Sequence, residues 1–289
     1  MSGAYHIAVT GATGFVARHV RRFLSENGAK LSSISRSDFK NLQNERKIVT
    51  KDYDSKTILP GIGKCDALIH LVGIGNQSIK IDFNSVNFQL TKKIVGLCKR
   101  AKIKKIIYLS GLGVSKDSPL EYFLSKYRAE DEIRQSGIDF TIFRPSYIVG
   151  RDDLLTKYLK RQIRQGQITI PGSGKFQIQP ISINDVSKII FESLTSKKFS
   201  NRVFDLVGPE LLTYESYVRQ FPKPACTRIK KIPLEKAYYD AIAKRDNTFG
   251  VDDLNLLVGN FYGDFKKLQA ASKMKFQPIS KSSKSGVLP

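Results

Sequence analysis

The sequence predicts an α/β fold: a doubly wound parallel sheet with a smaller C-terminal substrate lobe. Three observations carry this reading. Apolar runs alternate with amphipathic segments through the first half, the runs are apolar on both faces, and the first of them ends in a glycine-rich turn. That turn, Thr10-Gly11-Ala12-Thr13-Gly14-Phe15-Val16, joins the run His6-Ile7-Ala8-Val9 to a helical pattern over residues 15–24. Strand, tight turn and helix start in this order form a Rossmann-type site for a diphosphate. Gly11 permits the sharp turn, and Gly14 admits an anion with no Cβ in the way. Ala17 takes the third small position, where the helix must pack tightly on the strand.

The remaining elements follow from pattern. A second strand is expected at 30–35, a short third near 47–50, and a fourth, almost wholly apolar, at 67–72. Residues 83–100 have a helical period, with Val86, Leu90, Ile94, Val95 and Leu97 on or near one face. Strands at 105–110 and 139–144 flank a helix over 120–136, and Pro145 ends the last strand. Beyond Gly150 the pattern loosens. A helix at 154–165 precedes short strands at 168–170 and 176–181, and Asn184 or Asp185 is the expected cap of a helix reaching Thr195. A strand at 202–207 and short helices at 214–220 and 234–244 complete the reading. The domain plan is therefore a dinucleotide-binding core over 1–150, a substrate lobe over 151–264 interleaved with the sheet's carboxyl edge, and a basic tail over 265–289. That tail carries Lys266, Lys267, Lys273, Lys275, Lys281 and Lys284 with no acidic residue, and its serine-rich end is expected to be disordered.

Composition excludes several classes. The 289 residues are 41% hydrophobic with no run long enough to span a bilayer, and the first strand begins near the start, so a cytoplasmic protein is expected. Cys65, Cys98 and Cys226 lie far apart, which suggests buried or inert thiols rather than disulfides or a zinc site. No metal ligand set is expected. His6 and His70 lie inside strands and read as structural. Lys and Arg number 48 against 26 Asp and Glu, a formal charge of +22. Without a nucleic-acid motif, a solvated lysine-rich surface is the simplest account, and the basic tail could dock on an anionic membrane or a protein partner.

Four segments resemble the short-chain dehydrogenase/reductase superfamily: residues 10–16, the strand over 66–73, Tyr122-Phe-Leu-Ser-Lys126, and Phe143-Arg-Pro-Ser-Tyr-Ile-Val-Gly150. They are similar to its extended or atypical branch, which includes nucleotide-sugar epimerases and the NAD(P)H-binding accessory subunit of mitochondrial complex I. The resemblance covers roughly residues 5–210 and implies a nicotinamide nucleotide. Tyr122 and Lys126, one turn apart on a helix, would be the catalytic pair. An ammonium beside the phenol would lower its pKa from about 10. By resemblance the lysine also bonds the nicotinamide ribose, Asp52 lies near the adenine, Leu71, Val72 and Gly73 pass under the cofactor, and Asn87 and Pro145 brace the nicotinamide end. Asp52 and Asn87 suit a turn or cap nearly as well.

Two local features refine the expectation. Ser110 matches the family's strand-end serine, but Gly111 and Leu112 occupy the positions where a catalytic hydroxyl often lies; Ser115 or Ser118 would have to curl back to replace it. After the second strand stands Ser35-Arg36-Ser37-Asp38; Arg36 suits a 2′-phosphate and Asp38 a 2′-hydroxyl, and NADP(H) is expected over NAD(H). The expected function is an NAD(P)(H)-binding oxidoreductase or epimerase-like enzyme acting on a small hydroxylated or nucleotide-linked substrate. The alternative is a non-catalytic nucleotide-holding structural or redox-sensing subunit of a larger, membrane-associated assembly.

Overall fold

The computed structural model describes residues 5–221, 223–243 and 250–282. Its first strands are β1 (His6–Thr10), β2 (Lys30–Ser35), β3 (Glu45–Val49), β4 (Ala67–His70), β5 (Lys105–Leu109) and β6 (Asp139–Pro145). The second half adds β7 (Ile148–Val149), β8 (Gln167–Pro171), β9 (Gln177–Ile178), β10 (Ile181–Ser182), β11 (Arg202–Leu206), β12 (Leu212–Thr213) and β13 (Arg228–Ile232). The helices are α1 (Phe15–Glu26), α2 (Ser55–Ile62), α3 (Leu90–Arg100), α4 (Glu121–Arg134), α5 (Leu154–Arg164), α6 (Ile183–Thr195), α7 (Tyr214–Gln220), α8 (Leu234–Ile242), α9 (Val251–Leu257), α10 (Phe265–Ser272) and α11 (Ile279–Ser282).

Seven strands form one parallel sheet in the order β11-β6-β5-β4-β1-β2-β3. The chain winds outward in one direction from β1 to β3 and in the other from β4 to β11. The reversal lies between β1 and β4, where Thr10 sits opposite Ile34 on one side and His70 on the other. Open α/β sheets hold ligands at the carboxyl ends of the strands beside such a reversal. The sheet's apolar runs are buried on both faces, as their lack of polar alternation requires. One face packs Ile7, Val9, Ile69 and Phe143 against Val20 and Leu24 of α1, Ile189 of α6 and Leu268 of α10. The other packs Ile34, Leu68, Ile106 and Ile142 against Ile58 of α2, Ile94 of α3 and Ile133 of α4. A third cluster, with Leu159, Ile168, Tyr214, Val218 and Leu257, makes the smaller lobe.

Several elements differ from the sequence expectation. Helix α2 escapes the pattern because Pro60 and Gly61 fall inside it, although Asp54 caps it by accepting from the Thr57 amide. The helix over 83–100 opens with a π-helical stretch, Asn84–Gln89. The cap of α6 is Ser182, neither Asn184 nor Asp185, because Ser182 is the residue with extended backbone and an oxygen facing the Asn184 amide. The strand expected at 176–181 is two short pieces on either side of Gln179 and Pro180. Helix α8 ends at Ile242, and Lys244 lies outside the described residues. The segment from Phe265, expected as a tail, folds as far as Ser282: Leu268 and Phe276 join the main core and Ile279 the smaller one. Residues 283–289, where disorder is expected most, lie outside the described residues. No helix among the described residues is long and apolar enough to cross a membrane.

A buried ion pair ties α1 to the sheet. Arg21 grips Glu45 with two bonds of 2.6 Å, donates to the Ala12 carbonyl at 2.8 Å, and is 4% exposed. Burial pushes the Glu45 carboxyl up, but bonds from Arg21, Ser33 and the Leu42 amide outweigh it and hold the group below its ordinary value. Arg21→Met leaves that carboxylate buried without its partner and should cost about 3–5 kcal/mol in urea unfolding at pH 7. A depressed carboxyl stabilises above its unfolded pKa and loses that contribution as the pH falls through the folded value. The gap between wild type and variant should therefore shrink in acid.

Candidate functional site

The turn after β1 is built without spare room. Gly11 has φ +72°, and a Cβ there would meet the Leu71 backbone and the Val72 side chain at 3.2 Å. The Gly14 amide donates to the Gly11 carbonyl at 2.8 Å, and the Arg18 guanidinium to the Thr13 carbonyl at 2.7 Å. Gly14 caps α1 with extended backbone and no side-chain hydrogen bond, and the first turn holds no acidic residue. The amides of Phe15, Val16 and Ala17 thus lack a side-chain acceptor and face the cleft with the positive end of the helix dipole. Glycine clearance and uncapped amides together fit the diphosphate of a dinucleotide. Phe15 has a second role: its ring closes on the Gly150 backbone, where a Cβ would meet it at 3.1 Å.

At the end of β2, Ser35 Oγ lies 3.3 Å from Thr13 Oγ1, and Arg36 stands exposed just beyond. Asp38, the other candidate nucleotide-selecting residue, is bound to Lys47 at 2.5 Å. Asp52, exposed after β3, gives its carbonyl to Lys93 Nζ at 2.6 Å. The sequence reading missed its neighbour. Tyr53, at φ 50°, is 4% exposed, with its hydroxyl against the Gly11 backbone and Arg36 nearby.

Around the loop after β4 the packing is closer still. A Cβ on Gly73 would meet Lys126 Nζ at 2.7 Å and Asn87 Oδ1 at 3.3 Å. Asn87 accepts from the Ile74 amide at 3.0 Å and donates to Ser125 Oγ at 3.2 Å, which clamps the post-β4 loop to α4. His70 is fully buried between Thr10 Oγ1 at 2.7 Å and Thr91 Oγ1 at 3.1 Å; burial and the nearby Lys126 lower it to about 3, so it stays neutral. Lys126 Nζ donates to the Leu109 carbonyl at 3.3 Å and sits 5.1 Å over the Tyr108 ring. Burial lowers this ammonium to about 8, with Glu130 opposing the shift.

The Tyr122 hydroxyl hangs over Gly111, 3.2 Å from where a Cβ would stand, and its ring meets Phe83 and Phe123 edge-on. Burial raises its phenol to about 12. This corrects the expected lowering by Lys126. The two residues share one face of α4, but the ammonium is turned to the Leu109 carbonyl and the phenol to an aromatic wall. Tyr122 adjoins two small cavities, of about 130 Å³ with Pro145, Ser146 and Tyr147, and about 60 Å³ with Gln77, Phe83 and Asn255. Leu256 of α9 lines both. Helix α9 is held over the site by Asp252, which accepts from the Gln77 amide at 2.9 Å, and by Tyr147, which donates to the Leu256 carbonyl at 3.2 Å.

Ser110 faces a buried carboxylate. Its hydroxyl donates to Glu130 at 2.6 Å, and Glu130 is held further by Arg144 at 2.7 and 2.8 Å and by Arg134. Ser115 and Ser118 accept from the amides of Asp117 and Leu120 at 3.2 Å within their own loop. Ser146, beside the phenol, donates to the Phe261 carbonyl at 2.7 Å. Glu130 was legible in sequence as the residue four beyond Lys126, but its partners came from β6 and could not be read locally. The cysteine expectation holds for Cys65 and Cys98, buried with thiols raised to about 11 and about 12 by burial; Cys226 is exposed.

A family model described as NAD(P)H-binding matches residues 11–197. The chain belongs to this NAD(P)H-binding family. The resemblance to extended short-chain dehydrogenases/reductases is upheld. Among curated relatives, NADH dehydrogenase (ubiquinone) 1 alpha subcomplex subunit 9 of Arabidopsis thaliana is 25% identical over 71% of this chain and 54% of its own length. Ceramide reductase of Caulobacter vibrioides is 31% identical over 52% of this chain and 48% of its own. The chain thus spans about half the length of these relatives. Among solved structures, UDP-glucuronic acid 4-epimerase from Bacillus cereus, in complex with UDP-glucuronic acid and NAD, has a TM-score of 0.74, 17% identity and 98% coverage of both chains. UDP-N-acetylglucosamine 4-epimerase from the same species has a TM-score of 0.74, 19% identity and 99% coverage of both. These likenesses concern the fold.

In this NAD(P)H-binding chain, Lys126 carries its positive charge, and with it the stronger attraction for an oxygen acceptor, only below about pH 8. NADPH affinity, followed by nucleotide fluorescence, should weaken as the pH rises through about 8. In Lys126→Met the affinity should be lower and flat with pH; equal affinities for wild type at pH 6.5 and 9 would remove the role.

Proposed function

We propose that the chain is an NADP(H)-dependent oxidoreductase that reduces a carbonyl, or oxidises the matching alcohol, at Tyr122. The observation that carries this is the pairing on α4: a phenol over Gly111 and an ammonium over Gly73, both beside the switch point of the sheet. A nicotinamide nucleotide, when bound, supplies or accepts the hydride. Gly11, Thr13, Gly14, Phe15 and Val16 hold its diphosphate, Arg36 takes a 2′-phosphate, and Lys126 and the loop Leu71-Val72-Gly73 seat its ribose and nicotinamide end.

Tyr122 then works as an acid. With its phenol raised to about 12 it is protonated at neutral pH, so it is suited to give a proton to a carbonyl oxygen as the carbon takes up hydride. Lys126 is largely protonated near pH 7 and stabilises the phenolate left behind if the phenol swings toward it after transfer. Phe83, Phe123 and Leu256 wall the phenol on its apolar side.

A second reading is favoured by one observation: the Ser110 hydroxyl is committed to Glu130 and so is not offered to a reacting oxygen. On that reading the chain holds a nucleotide without turning it over, within a larger assembly, in keeping with a relative named as a subunit of NADH dehydrogenase. The two readings separate on Tyr122→Phe, which should lose turnover by about a hundredfold or more while NADPH binding stays within twofold. Turnover surviving the substitution contradicts the acid role. Cofactor choice is tested by Arg36→Ala, which should cut the preference for NADPH over NADH by about tenfold or more. An unchanged ratio contradicts the assignment.

A further inference from the structure

Beside the Tyr122 site lies a larger cavity of about 320 Å³, within the size range of about 300–1,000 Å³ typical of small-molecule sites. Tyr147, Leu155, Tyr158, Tyr214, Leu256 and Leu257 wall it. It shares Tyr147 and Leu256 with the cavity under the Tyr122 phenol, so the two spaces meet at a common wall. Leu154 stands at its rim with 82% of its surface exposed.

The polar groups of this cavity are few and already engaged. Asn76 Nδ2 donates to Asp253 Oδ1 at 3.0 Å, and Asp253 Oδ2 accepts from the Gly250 amide at 2.9 Å. Among the described residues that line it there is no Lys or Arg. A nucleotide diphosphate needs cations or uncapped amides, and here it would meet a carboxylate and hydrocarbon.

We propose that this cavity receives the hydrocarbon part of an amphiphilic ketone or alcohol whose carbon–oxygen bond lies at Tyr122. This rests on the oxidoreductase reading for the reacting end but not for the binding of the apolar end. Substrate selection is thereby assigned to α5, α7 and α9 of the smaller lobe, and nucleotide sugars are excluded.

The test uses the full chain with NADPH and a neutral fluorescent probe, N-phenyl-1-naphthylamine, displaced by methyl ketones of four to ten carbons or by UDP-glucose. Each added methylene should tighten displacement about three- to fourfold until the cavity is full, and UDP-glucose should not compete. Leu155→Asp should weaken the probe and the longer ketones by about tenfold or more, with NADPH binding unchanged. If that variant fails to fold, Leu154→Asp at the exposed rim should give a smaller loss in the same direction. Displacement by UDP-glucose, no gain with chain length, or no effect of folded Leu155→Asp would each overturn the proposal. Chain-length-dependent displacement in a protein that never oxidises NADPH would uphold the cavity assignment while removing the oxidoreductase reading.

Discussion

The structure depends on one close approach, the turn after β1 pressed against the start of the loop after β4. Gly11 has no room for a side chain because the Leu71 backbone and Val72 occupy it. Thr10, just before, locks the same junction through its bonds to His70 and to the Leu71 amide at 3.3 Å. Only with those two strand ends drawn together does the amino end of α1 open at the reversal of the sheet. Its first amides are left without a side-chain cap, an arrangement that favours an anion and little else.

The second organising feature is electrostatic. Glu130 is fully buried, and a carboxylate in that position is tolerated only when its oxygens are well bonded. Ser110, Arg134 and Arg144 supply those bonds. The consequence reaches the cleft twice. Ser110 is withdrawn from any reacting oxygen, and the negative charge one turn below Lys126 limits how far burial lowers that ammonium. The site therefore keeps a protonated phenol and a largely protonated amine one helical turn apart. On the proposed oxidoreductase reading, this favours giving a proton over taking one.

Much of this was legible in the amino-acid order. Strands covered on both faces read as plain apolar runs, so β1, β4 and β5 stood out, and the glycine turn drew its meaning from its place between a strand and a helix. Helix α2 did not, because Pro60 and Gly61 interrupt the periodic pattern although the capping residue Asp54 is present. Tyr53 was hidden for another reason: a left-handed residue in a loop has no periodic signature, and its contact with the Gly11 backbone is long-range. The lysine-rich stretch after Phe265 read as solvated tail because its charges mask three apolar contacts, Leu268, Phe276 and Ile279, spaced too irregularly for a helix face. The pairing of Tyr122 and Lys126 on one helical turn was readable; their electrostatic independence was not, since it follows from where the Leu109 carbonyl and the Tyr108 ring stand.

All of the chemistry assigned to this chain needs a dinucleotide seated on the uncapped end of α1. The direct measurement is the thermal unfolding midpoint of the purified chain with and without saturating NADPH or NADH. A ligand at a hundred times its dissociation constant adds about 2.7 kcal/mol, so the midpoint should rise by several degrees, more with NADPH. A midpoint unmoved by either nucleotide would contradict the account.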